Sequence, residues 1–551
     1  MITLPTLSDA VATFARLTPA KLAVRDSRRQ IGYAELDRRT TGLAAGLRAL
    51  GLQRGDRVGV LAYNRAEWIE IYSAMSRAAL VAVPVNFRLT GPEAAYILEH
   101  SEARAVIAGP EFCGLLDGLG DALPIAPERR VMLGDDQQSP PAGWRGYEAL
   151  LQANHRLPDE PAASPSDMFA LMYTSGTTGK PKGAIRNHGG SALMAMATAL
   201  EMGFSQADTA LLVMPLCHAN SLNFGSTFVH LGAGIVIDDR RSFDPEALIA
   251  TLSQQRVTFT SLVPTHYIMM LALPDAVKQR YDVTSVGKLL VSSAPARQDT
   301  KQGIPQLFPN SQLYELYGST EAGWVTLLRP HEQMHKLGSV GREWAFSGPV
   351  RLLDDQGREV PDGEVGELFS RTAYVFDGYW KNPEKTAEAF RDGWCSVGDM
   401  ARRDADGYLW LVDRKSNMII SGGENVYPSE VEAVLGAHPA VRDVAVVGLP
   451  HDKWGETVHA VVVLHAGQSA NATTPDELRA WCKTRLAGFK CPSAVQFIDD
   501  AQMPRTATGK IQHRRLRQQL IDAVPPVSPA SPVPHGLSAS VPATQTQAQP
   551  A

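Results

Sequence analysis

A loop rich in glycine, hydroxyl groups and lysine follows an apolar run at residues 168–173. Residues 173–184 read YTSGTTGKPKGA. Glycine lets backbone N–H groups approach a ligand closely, while the hydroxyls and lysines add hydrogen-bond donors and positive charge. This composition favours an anion with many oxygens, for which a polyphosphate is the usual candidate. Pro181, after Gly179 and Lys180, breaks the Walker A pattern, and composition alone leaves a flexible surface loop open as the alternative.

A second polar turn, YGSTEAG (317–323), ends an apolar stretch. Its glycine and serine allow a tight turn, Thr320 can bond a phosphoryl oxygen, and Glu321 can hold Mg²⁺. Tyr317 offers a ring that can stack on a base. The alternative is an ordinary turn with a Ser-Thr-Glu helix start.

Two further residues stand in loops that suit a nucleotide. Asp399 follows a glycine in WCSVGDM (394–400); such an aspartate is usually a turn or cap residue, but it can also accept hydrogen bonds from two vicinal hydroxyls, as on a ribose. Lys510 follows a Pro/Thr/Gly loop in PRTATGKIQHRRLR (504–517), and the basic run after it is typical of a solvated helix face. Ser429 and Glu432 match the spacing of a capping box.

The elements that must position these residues alternate between strand and helix over the first 350 residues. One example is the strand-like 57–63, the helix-like 66–80 and the strand-like 81–86. This rhythm predicts mostly parallel sheets covered by helices, with ligands at the carboxyl ends of the strands. Beyond residue 350, strand–turn–strand patterns predict a small β-rich subdomain, and the stretch after residue 417 predicts a compact α+β domain of roughly 100 residues.

Composition limits the class of protein. The 551 residues have 44% hydrophobic and 20% charged content and a formal net charge of −5, which is typical of a soluble globular protein with two or more domains and gives no reason to expect a nucleic-acid partner. Five scattered cysteines without a C-x-x-C pair fit a reducing compartment. The chain lacks a signal-peptide core and a run of about 18 apolar residues. We therefore expect a cytoplasmic protein without a transmembrane segment, with peripheral membrane contact and a homodimer left open.

Together these stretches resemble the motifs of the adenylate-forming superfamily, which includes acyl-CoA synthetases, firefly-type luciferases and the adenylation domains of peptide synthetases. The resemblance runs from about residue 8 to 521, with the motifs in the family's order. It implies that a carboxylate attacks the α-phosphate of MgATP, giving an acyl-adenylate and pyrophosphate. A thiol, usually that of coenzyme A, then displaces AMP. ATP, Mg²⁺ and coenzyme A are thus the implied cofactors and co-substrates.

The resemblance also implies roles for single residues. Lys510, Thr320 and Glu321 are the expected catalytic residues: Thr320 contacts the α-phosphate, Glu321 holds magnesium together with Thr177, and Lys510 bonds the carboxylate and the bridging oxygen. Tyr317 lies against adenine, Asp399 clamps the ribose hydroxyls, and Arg414 reaches ribose or phosphate. The other expected cofactor-binding residues are Thr174, Ser175, Gly176, Thr178, Gly179, Lys180, Lys182, Glu315, Gly318, Ser319, Gly422 and Gly423.

The same resemblance sets the domain limits. We expect an N-terminal domain for ATP and acid at 1–413, a hinge at 414–416, a small mobile C-terminal domain with the catalytic lysine at 417–522, and a disordered Pro/Ser/Ala-rich tail at 523–551. Ser416 departs from the Asp or Lys that is usual at the hinge, which puts the ion contacts of the hinge in doubt. The Gly-Gly turn is expected to line the pantetheine channel in the second half-reaction.

The acid itself is least defined by the sequence. His218 stands where amino-acid-activating relatives carry an Asp, which argues against an amino-acid adenylation domain. The expected pocket residues are His218, Ser221, Phe224, Thr265, Ser292, Ser293, Ala294 and Trp324. Small residues at 292–296 leave depth, and the aromatics suit either an alkyl tunnel or a flat ring. We predict an acid–CoA ligase of fatty acid metabolism for a medium- or long-chain fatty acid, with an aryl acid of the cinnamate, ferulate or benzoate type as the alternative.

Two other classes share the first half-reaction or the fold. A luciferase-like adenylating oxygenase would need O₂ and a luciferin, and the sequence holds no feature for that step. A non-catalytic nucleotide-binding relative would have lost the chemistry. The intact Lys510, Glu321, Asp399 and Arg414 argue against the non-catalytic class.

Overall fold

The computed structural model describes residues 4–134, 138–152, 156–157, 163–174, 180–292, 296–422, 424–465, 467, 473–506 and 509–523. Within them the chain is a mixed α/β protein with a large N-terminal part and a small C-terminal part, which confirms the predicted fold class. The predicted tail, 523–551, lies outside the described residues except for Ala523.

Helices and short buried strands alternate in the first 152 residues, as the sequence pattern predicts. The helices are α1 (Leu7–Leu17), α2 (Tyr33–Ala49), α3 (Glu67–Ala78), α4 (Gly91–His100), α5 (Pro110–Asp117) and α6 (Tyr147–Gln152). The strands are β1 (Leu22–Arg25), β2 (Gln30–Gly32), β3 (Arg57–Leu61), β4 (Val81–Pro84), β5 (Ala103–Ala108), β6 (Arg130–Met132) and β7 (Arg145–Gly146).

The alternation continues from residue 163 to residue 344. The strands are β8 (Met168–Thr174), β9 (Lys182–Asn187), β10 (Thr209–Leu212), β11 (Gly234–Ile237), β12 (Phe259–Leu262), β13 (Lys288–Val291), β14 (Gln312–Ser319), β15 (Gly323–Leu328) and β16 (Arg342–Glu343). The helices are α7 (His188–Met202), α8 (Ala219–Leu231), α9 (Pro245–Gln254), α10 (Pro264–Leu271), α11 (Asp275–Lys278) and α12 (Gln298–Leu307).

Two mainly parallel sheets form the large part. Among the described strands, one sheet has the order β16-β15-β14-β13-β12-β10-β11-β1-β2 and the other has the order β7-β6-β5-β3-β4-β8-β9. A single buried apolar cluster includes Val60 of β3, Leu212 of β10 and Phe228 of α8. The two sheets therefore share one core, with helices packed between them.

The predicted phosphate loop and the predicted catalytic turn each connect two antiparallel strands. The loop joins β8 to β9 at the edge of the second sheet, and the turn joins β14 to β15 in the first sheet. Strands β12, β13 and β14 run parallel and in register. Their carboxyl ends lie side by side, which is where an open α/β sheet binds ligands.

A smaller antiparallel sheet and the C-terminal part follow. The small sheet contains β17 (Val350–Leu353), β18 (Val365–Ser370), β19 (Phe390–Arg391), β20 (Trp394–Cys395), β21 (Asp399–Arg403) and β22 (Leu409–Arg414), with α13 (Pro383–Ala389) beside it. The C-terminal part contains β23 (Ile419–Ser421), β24 (Glu424–Val426), β25 (Val441–His451), β26 (Gly455–Leu464) and β27 (Ala494–Phe497), with α14 (Pro428–Gly436), α15 (Pro475–Lys483) and α16 (His513–Asp522). None of the helices in the described segments has both the length and the apolar character that a bilayer span requires.

A buried ion cluster fastens helices α2, α3 and α6 to one another. Arg39 of α2 donates to both carboxylate oxygens of Glu70 on α3, at 2.8 and 3.0 Å, and to both oxygens of Glu148 on α6, at 2.6 and 2.8 Å. Tyr147 adds a hydrogen bond of 2.9 Å to Glu70. Since Arg39, Glu70 and Glu148 are all buried, loss of the guanidinium would leave two carboxylates without their main counter-charge.

Replacing Arg39 with alanine should lower the free energy of unfolding by about 3–5 kcal/mol, because one partner of a buried charge network is removed. The shift in the urea midpoint measures this. Arg38→Ala is the matched control, since Arg38 is its neighbour on α2 and makes an exposed pair with Glu35; it should cost no more than about 1 kcal/mol. Equal losses for the two variants would contradict the role given to the buried cluster.

Candidate active site

The turn that carries Thr320 and Glu321 is tightly specified by the strands on either side. A Cβ atom on Gly318 would lie 2.2 Å from the carbonyl oxygen of Gly323, so only glycine fits there. The Ser319 hydroxyl accepts a hydrogen bond of 2.9 Å from the backbone N–H of Ala322. Thr320 is half-buried and Glu321 is buried. The turn therefore presents a hydroxyl and a carboxylate from a rigid hairpin.

Glu321 lies where three segments of the chain meet. Its Oε1 accepts hydrogen bonds from the Tyr379 hydroxyl at 2.8 Å and from the Thr174 hydroxyl at 3.2 Å. Its Oε2 has no hydrogen-bond partner within the described segments. The Lys182 ammonium lies 4.1 Å from the centre of the Tyr379 ring, and burial lowers the pKa of Lys182 against the opposing attraction of Glu321. The arrangement leaves one carboxylate oxygen for a ligand.

The predicted ribose clamp is assembled from two sheets. Asp399 of β21 and Arg414 of β22 are cross-strand neighbours, and the Arg414 Nε lies 3.1 Å from the Asp399 Oδ1. The Tyr317 hydroxyl of β14 donates a 2.7 Å hydrogen bond to Asp399 Oδ2. Burial and the neighbouring carboxylate raise the pKa of Tyr317 well above its ordinary value, so the hydroxyl stays a donor. The Tyr317 ring is itself buried in an apolar cluster, which leaves its proposed contact with adenine a prediction.

Lys510 faces this clamp from the small C-terminal part. Burial and the positive charge of Arg414 lower the pKa of the Lys510 ammonium, while Asp399 and Asp413 act in the opposite direction. The side chain is nevertheless open to solvent, as expected for a group that faces a water-filled cleft. Its loop is fixed by a 2.7 Å bond from the Thr506 N–H to the Lys510 carbonyl oxygen. Lys510 therefore lies within electrostatic range of Asp399 and Arg414, although both are far from it in sequence.

The predicted hinge is bordered by one aspartate. Asp413 accepts hydrogen bonds from the Ser429 backbone N–H at 2.9 Å and from the Asn417 side chain at 3.1 Å. Ser429 is therefore bonded across to β22, and its hydroxyl donates to the Val412 carbonyl oxygen. The capping-box interpretation of Ser429 and Glu432 is wrong, because Glu432 instead accepts from the Val446 N–H at 2.8 Å and lies 2.6 Å from the His513 ring.

Gly422 has a positive φ of 63°, and a Cβ there would lie 2.9 Å from the Trp454 ring. Position 422 therefore favours glycine for a structural reason as well as for the channel proposed from the resemblance.

The first turn of α8 contributes to the predicted acid pocket. His218 precedes this helix, and burial followed by the charge of Arg88 lowers its pKa to about 4, so the ring is neutral. Its Nε2 is buried and has no hydrogen-bond partner in the described part of the chain. Thr265 is exposed at the start of α10.

Other predicted wall residues are held by the protein itself. The buried Ser221 donates a 2.6 Å hydrogen bond to the Met214 carbonyl oxygen. Phe224 is fully buried. Trp324 donates a 3.0 Å hydrogen bond from its indole N–H to the Thr198 hydroxyl. Contacts within the protein thus hold all three residues, and their direct contact with an acid stays a prediction.

Asn220, next to the predicted wall residue Ser221, is a polar residue that sequence reasoning missed. Its side-chain amide donates to the Ser261 hydroxyl at 3.2 Å and to the Ser292 hydroxyl at 3.1 Å. Ser261 lies near the carboxyl end of β12, and Ser292 directly follows the neighbouring strand β13; both serines are buried. The Asn220 Oδ1 has no hydrogen-bond partner within the described ranges. A polar residue in the aligned pocket segment 214–225 was the only available signal.

Arg186 and Lys301 were also missed. The buried guanidinium of Arg186 on β9 donates to the carbonyl oxygens of Thr320 and Glu321, at 3.3 and 3.4 Å. The buried Lys301 of α12 forms an ion pair with Glu315, which also accepts a 3.4 Å bond from the Ala296 N–H. Burial raises the pKa of Glu315 while Lys301 opposes the shift. Glu315 therefore braces the chain near 296, and its predicted contact with the adenine amino group is untested.

The remaining predicted residues are Lys180 and a group that lies outside the described segments. Lys180 is described and exposed, with its ammonium 5.5 Å from the centre of the Tyr96 ring. The predicted residues that lie outside the described segments are Ser175, Gly176, Thr177, Thr178, Gly179, Ser293, Ala294 and Gly423. Among the described residues, no group of three or more His, Cys, Asp and Glu side chains is arranged to hold a metal ion.

Comparison with known proteins matches both parts of the chain to one family. A family model described as AMP-binding enzyme matches residues 11–380, and a model described as AMP-binding enzyme C-terminal domain matches residues 430–510. Feruloyl-CoA synthase of an Amycolatopsis species is 39% identical over 507 residues, which are 92% of this chain and 97% of that relative.

A relative whose name specifies a different type of acid aligns over almost the same length. Long-chain-fatty-acid–CoA ligase FadD13 of Mycobacterium tuberculosis is 32% identical over 502 residues, 90% of this chain and 94% of the relative. Among solved structures, the anthranilate CoA ligase AuaEII in complex with anthranoyl-AMP has a TM-score of 0.84 at 26% identity, covering 95% of this chain and 99% of the other. Both aryl and alkyl acids thus occur among the similar proteins.

Replacing Tyr317 with phenylalanine should weaken AMP binding by about 10- to 100-fold, because a hydrogen bond to a charged group contributes about 1.5–3 kcal/mol. Calorimetric titration with AMP measures the effect. Tyr314→Phe on the same strand is the control, since the Tyr314 hydroxyl donates to the neutral Gln312 side chain at 3.1 Å. Unchanged affinity in Tyr317→Phe would show that the Tyr317 hydroxyl does not position Asp399 for the ribose.

Proposed function

Because the chain belongs to the family of AMP-binding enzymes and is an AMP-forming acid–thiol ligase, we propose that it joins a compact aromatic acid with a polar ring substituent to coenzyme A. In the first step the carboxylate oxygen attacks the α-phosphorus of ATP, the bond to the β-phosphate oxygen breaks, and pyrophosphate leaves. In the second step the sulfur of coenzyme A attacks the acyl carbon, AMP leaves, and the thiol proton is released.

The observation that carries the ligase chemistry is the convergence on one cleft of groups from three sheets and the small C-terminal part. Lys510 faces Asp399 and Arg414, while Tyr317, which is bonded to Asp399, leads directly into the Thr320–Glu321 turn. A carboxylate and ATP repel each other, so cations and directed donors must stabilise the transition state. In this proposal Lys510 and Arg414 supply the cations, and Thr320 supplies a donor to the α-phosphate.

Glu321 fits the magnesium ion that ATP brings. Its Oε1 is held by Tyr379 and Thr174, and its Oε2 has no hydrogen-bond partner in the part of the chain that the structure describes. Mg²⁺ is usually bound by one or two carboxylates together with substrate phosphates and water. Bound there, it would neutralise phosphate charge as the phosphoryl group is transferred.

The packing beneath the acid pocket supports a compact acid over a long chain. Asn220 and Phe224 lie one helical turn apart on the same face of α8. Below Asn220, the Phe224 ring centre lies 4.8 Å from that of Phe259 and 5.6 Å from that of Trp324, and all three rings are buried. On this proposal a long alkyl chain that followed this face of α8 would have to displace the buried rings, whereas a single ring beside Asn220 would not.

The polar side of the pocket supports a substituent that can hydrogen-bond. The side-chain amide of Asn220 donates hydrogen bonds to Ser261 and Ser292, and its carbonyl oxygen remains available as an acceptor. An acceptor that a bound alkyl chain covers would be left unpaired, at a cost of about 1–3 kcal/mol. A phenolic hydroxyl or a ring N–H would satisfy it. This proposal replaces our first expectation, a fatty acid, with the aryl alternative.

Lys510→Ala should lower acid-dependent pyrophosphate release by about 10²–10³-fold, the usual loss for a positioned transition-state charge. Thioester formation from supplied acyl-adenylate should change little, which single-turnover assays measure. Lys483→Ala, at an exposed lysine of the same C-terminal part, is the control.

The pH profile tests the same lysine. Burial and the charge of Arg414 lower the pKa of Lys510, and the cationic form is the active one. Wild-type adenylation should therefore fall with rising pH, and the fall should be centred below about 10.4, the pKa of a free lysine. A Lys510→Ala enzyme with wild-type pyrophosphate release would refute the catalytic role.

Acid preference should follow the hydrogen-bond donor on the ring. Ferulate should be turned over with a kcat/KM about tenfold above that of its methyl ether, 3,4-dimethoxycinnamate, because only ferulate can donate to Asn220. Asn220→Leu should remove this preference, and Asn223→Leu on the same helix should keep it. Octanoate and palmitate belong in the same panel: a higher kcat/KM for palmitate than for every aryl acid would restore the fatty-acid interpretation.

A further inference from the structure

Arg186 is a buried cation that the proposed chemistry does not yet use. It lies on β9, the strand that follows the predicted phosphate loop, and only 6% of its surface is exposed. Burial lowers the pKa of Arg186 to about 10, so it remains charged at neutral pH. Taking a guanidinium out of water costs several kcal/mol unless charges or hydrogen bonds compensate. A buried cation at this place therefore calls for an explanation.

The contacts of Arg186 are directed at the backbone of the catalytic turn. Its Nη1 donates to the Thr320 carbonyl oxygen at 3.3 Å and to the Glu321 carbonyl oxygen at 3.4 Å. The Glu321 carbonyl also accepts a 2.8 Å bond from the Phe376 N–H. The Arg186 Nη2 is buried without a hydrogen-bond partner in the described ranges. The guanidinium thus holds two successive peptide groups from behind and leaves the side chains of Thr320 and Glu321 free to face a ligand.

Arg186 also connects two elements that belong to different sheets. The β8–β9 hairpin is the edge of one sheet, and the β14–β15 hairpin lies in the other. A second connection runs in parallel, since Thr174 of β8 donates to the Glu321 carboxylate. Through these two contacts the strands that flank the loop predicted to grip the β- and γ-phosphates are joined to the turn predicted to hold magnesium.

The attraction between Arg186 and Glu321 adds to this geometry. The groups that donate to the Glu321 carboxylate, Tyr379 and Thr174, are neutral hydroxyls. The charges of Asp377 and Glu321 both favour the cationic form of Arg186. Arg186 and Glu321 therefore attract each other, which adds to the hydrogen bonds that hold the turn in place.

We propose that Arg186 is a positioning residue that holds the Thr320–Glu321 turn against the phosphate-loop hairpin and thereby sets the affinity of the enzyme for magnesium-bound ATP. This rests on the proposed function, in which Glu321 holds the magnesium of ATP. The role is specific to the first half-reaction, because the second half-reaction involves neither the triphosphate nor pyrophosphate. AMP, which lacks the β- and γ-phosphates, should be much less sensitive than ATP.

The test compares Arg186→Met and Arg186→Lys with the wild-type full chain. Calorimetry without acid gives the dissociation constants of ATP at graded Mg²⁺ concentrations and of AMP. Arg186→Met should weaken binding of ATP with Mg²⁺ by about tenfold or more, raise the Mg²⁺ concentration for half-maximal binding, and change AMP affinity little. Arg186→Lys, which keeps the charge, should recover part of the loss.

Arg57→Met is the matched control. Arg57 lies on β3 of the same sheet and donates to the Ser101 carbonyl oxygen at 2.8 Å, but it does not touch the turn. It should lower the unfolding temperature without changing the Mg²⁺ dependence. In the enzyme assay, Arg186→Met should slow pyrophosphate release and leave thioester formation from supplied acyl-adenylate near the wild-type rate.

Three outcomes would overturn the proposal. These are an unchanged Mg²⁺ dependence in Arg186→Met, an equal loss of ATP and AMP affinity, or an equal loss in both half-reactions. Each would mean that Arg186 stabilises the fold as a whole. Because ATP binding is measured without any acid, failure of the wild-type protein to form an acyl-CoA would disprove the proposed function while the calorimetry still decides the role of Arg186.

Discussion

The ion pair between Asp399 and Arg414 is the interaction on which the rest of the site depends. The two residues are cross-strand neighbours on the last two strands of the large part, and the Arg414 Nε lies 3.1 Å from the Asp399 Oδ1. Tyr317 of another sheet donates a hydrogen bond to Asp399, and Lys510 of the small C-terminal part lies within electrostatic range of the pair. Without the Asp399 carboxylate, the repulsion between Arg414 and Lys510 would lose part of its compensation. Carboxylates thus offset the repulsion between two cations at the place where the family resemblance predicts ATP.

Cations also lie near a carboxylate at the Thr320–Glu321 turn. Lys182 and Arg186 approach the Thr320–Glu321 turn from β9, and burial lowers the pKa of both. Burial acts against their positive charge, whereas the carboxylate of Glu321 acts in its favour. On both sides of the site cations are balanced by carboxylates, with Asp413 as well as Asp399 acting on Lys510 and Asp377 as well as Glu321 acting on Arg186. Such an arrangement suits an acid and a polyphosphate that would otherwise repel each other.

The sequence predicts the frame of this site better than its interior. The alternation of strands and helices, the two parts of the chain and the grouping of Tyr317, Asp399, Arg414 and Lys510 follow from local patterns and a family resemblance, and the structure brings these residues together. Arg186 and Asn220 were missed because their importance depends on partners distant in sequence, such as Thr320 and Ser292. Phe224 shows the reverse difficulty: its position along the helix suggests a pocket wall, but packing against Phe259 decides its burial.

The contacts around the predicted hinge define where a rotation of the C-terminal part would occur. Lys415 is anchored to the large part by ion pairs with Asp355 at 2.8 Å and Glu367 at 3.1 Å, and by a 2.7 Å bond from its N–H to the Gly398 carbonyl oxygen. On the other side, Asn417 and Ser429 are tied to Asp413. Ser416 lies exposed between these two attachments. A rotation would therefore turn at Ser416 and break the Asp413 bonds. Because Ser416 is uncharged, the contacts that hold the two parts in the present arrangement come from Asp413 and Lys415. A charged hinge residue would otherwise share in these contacts.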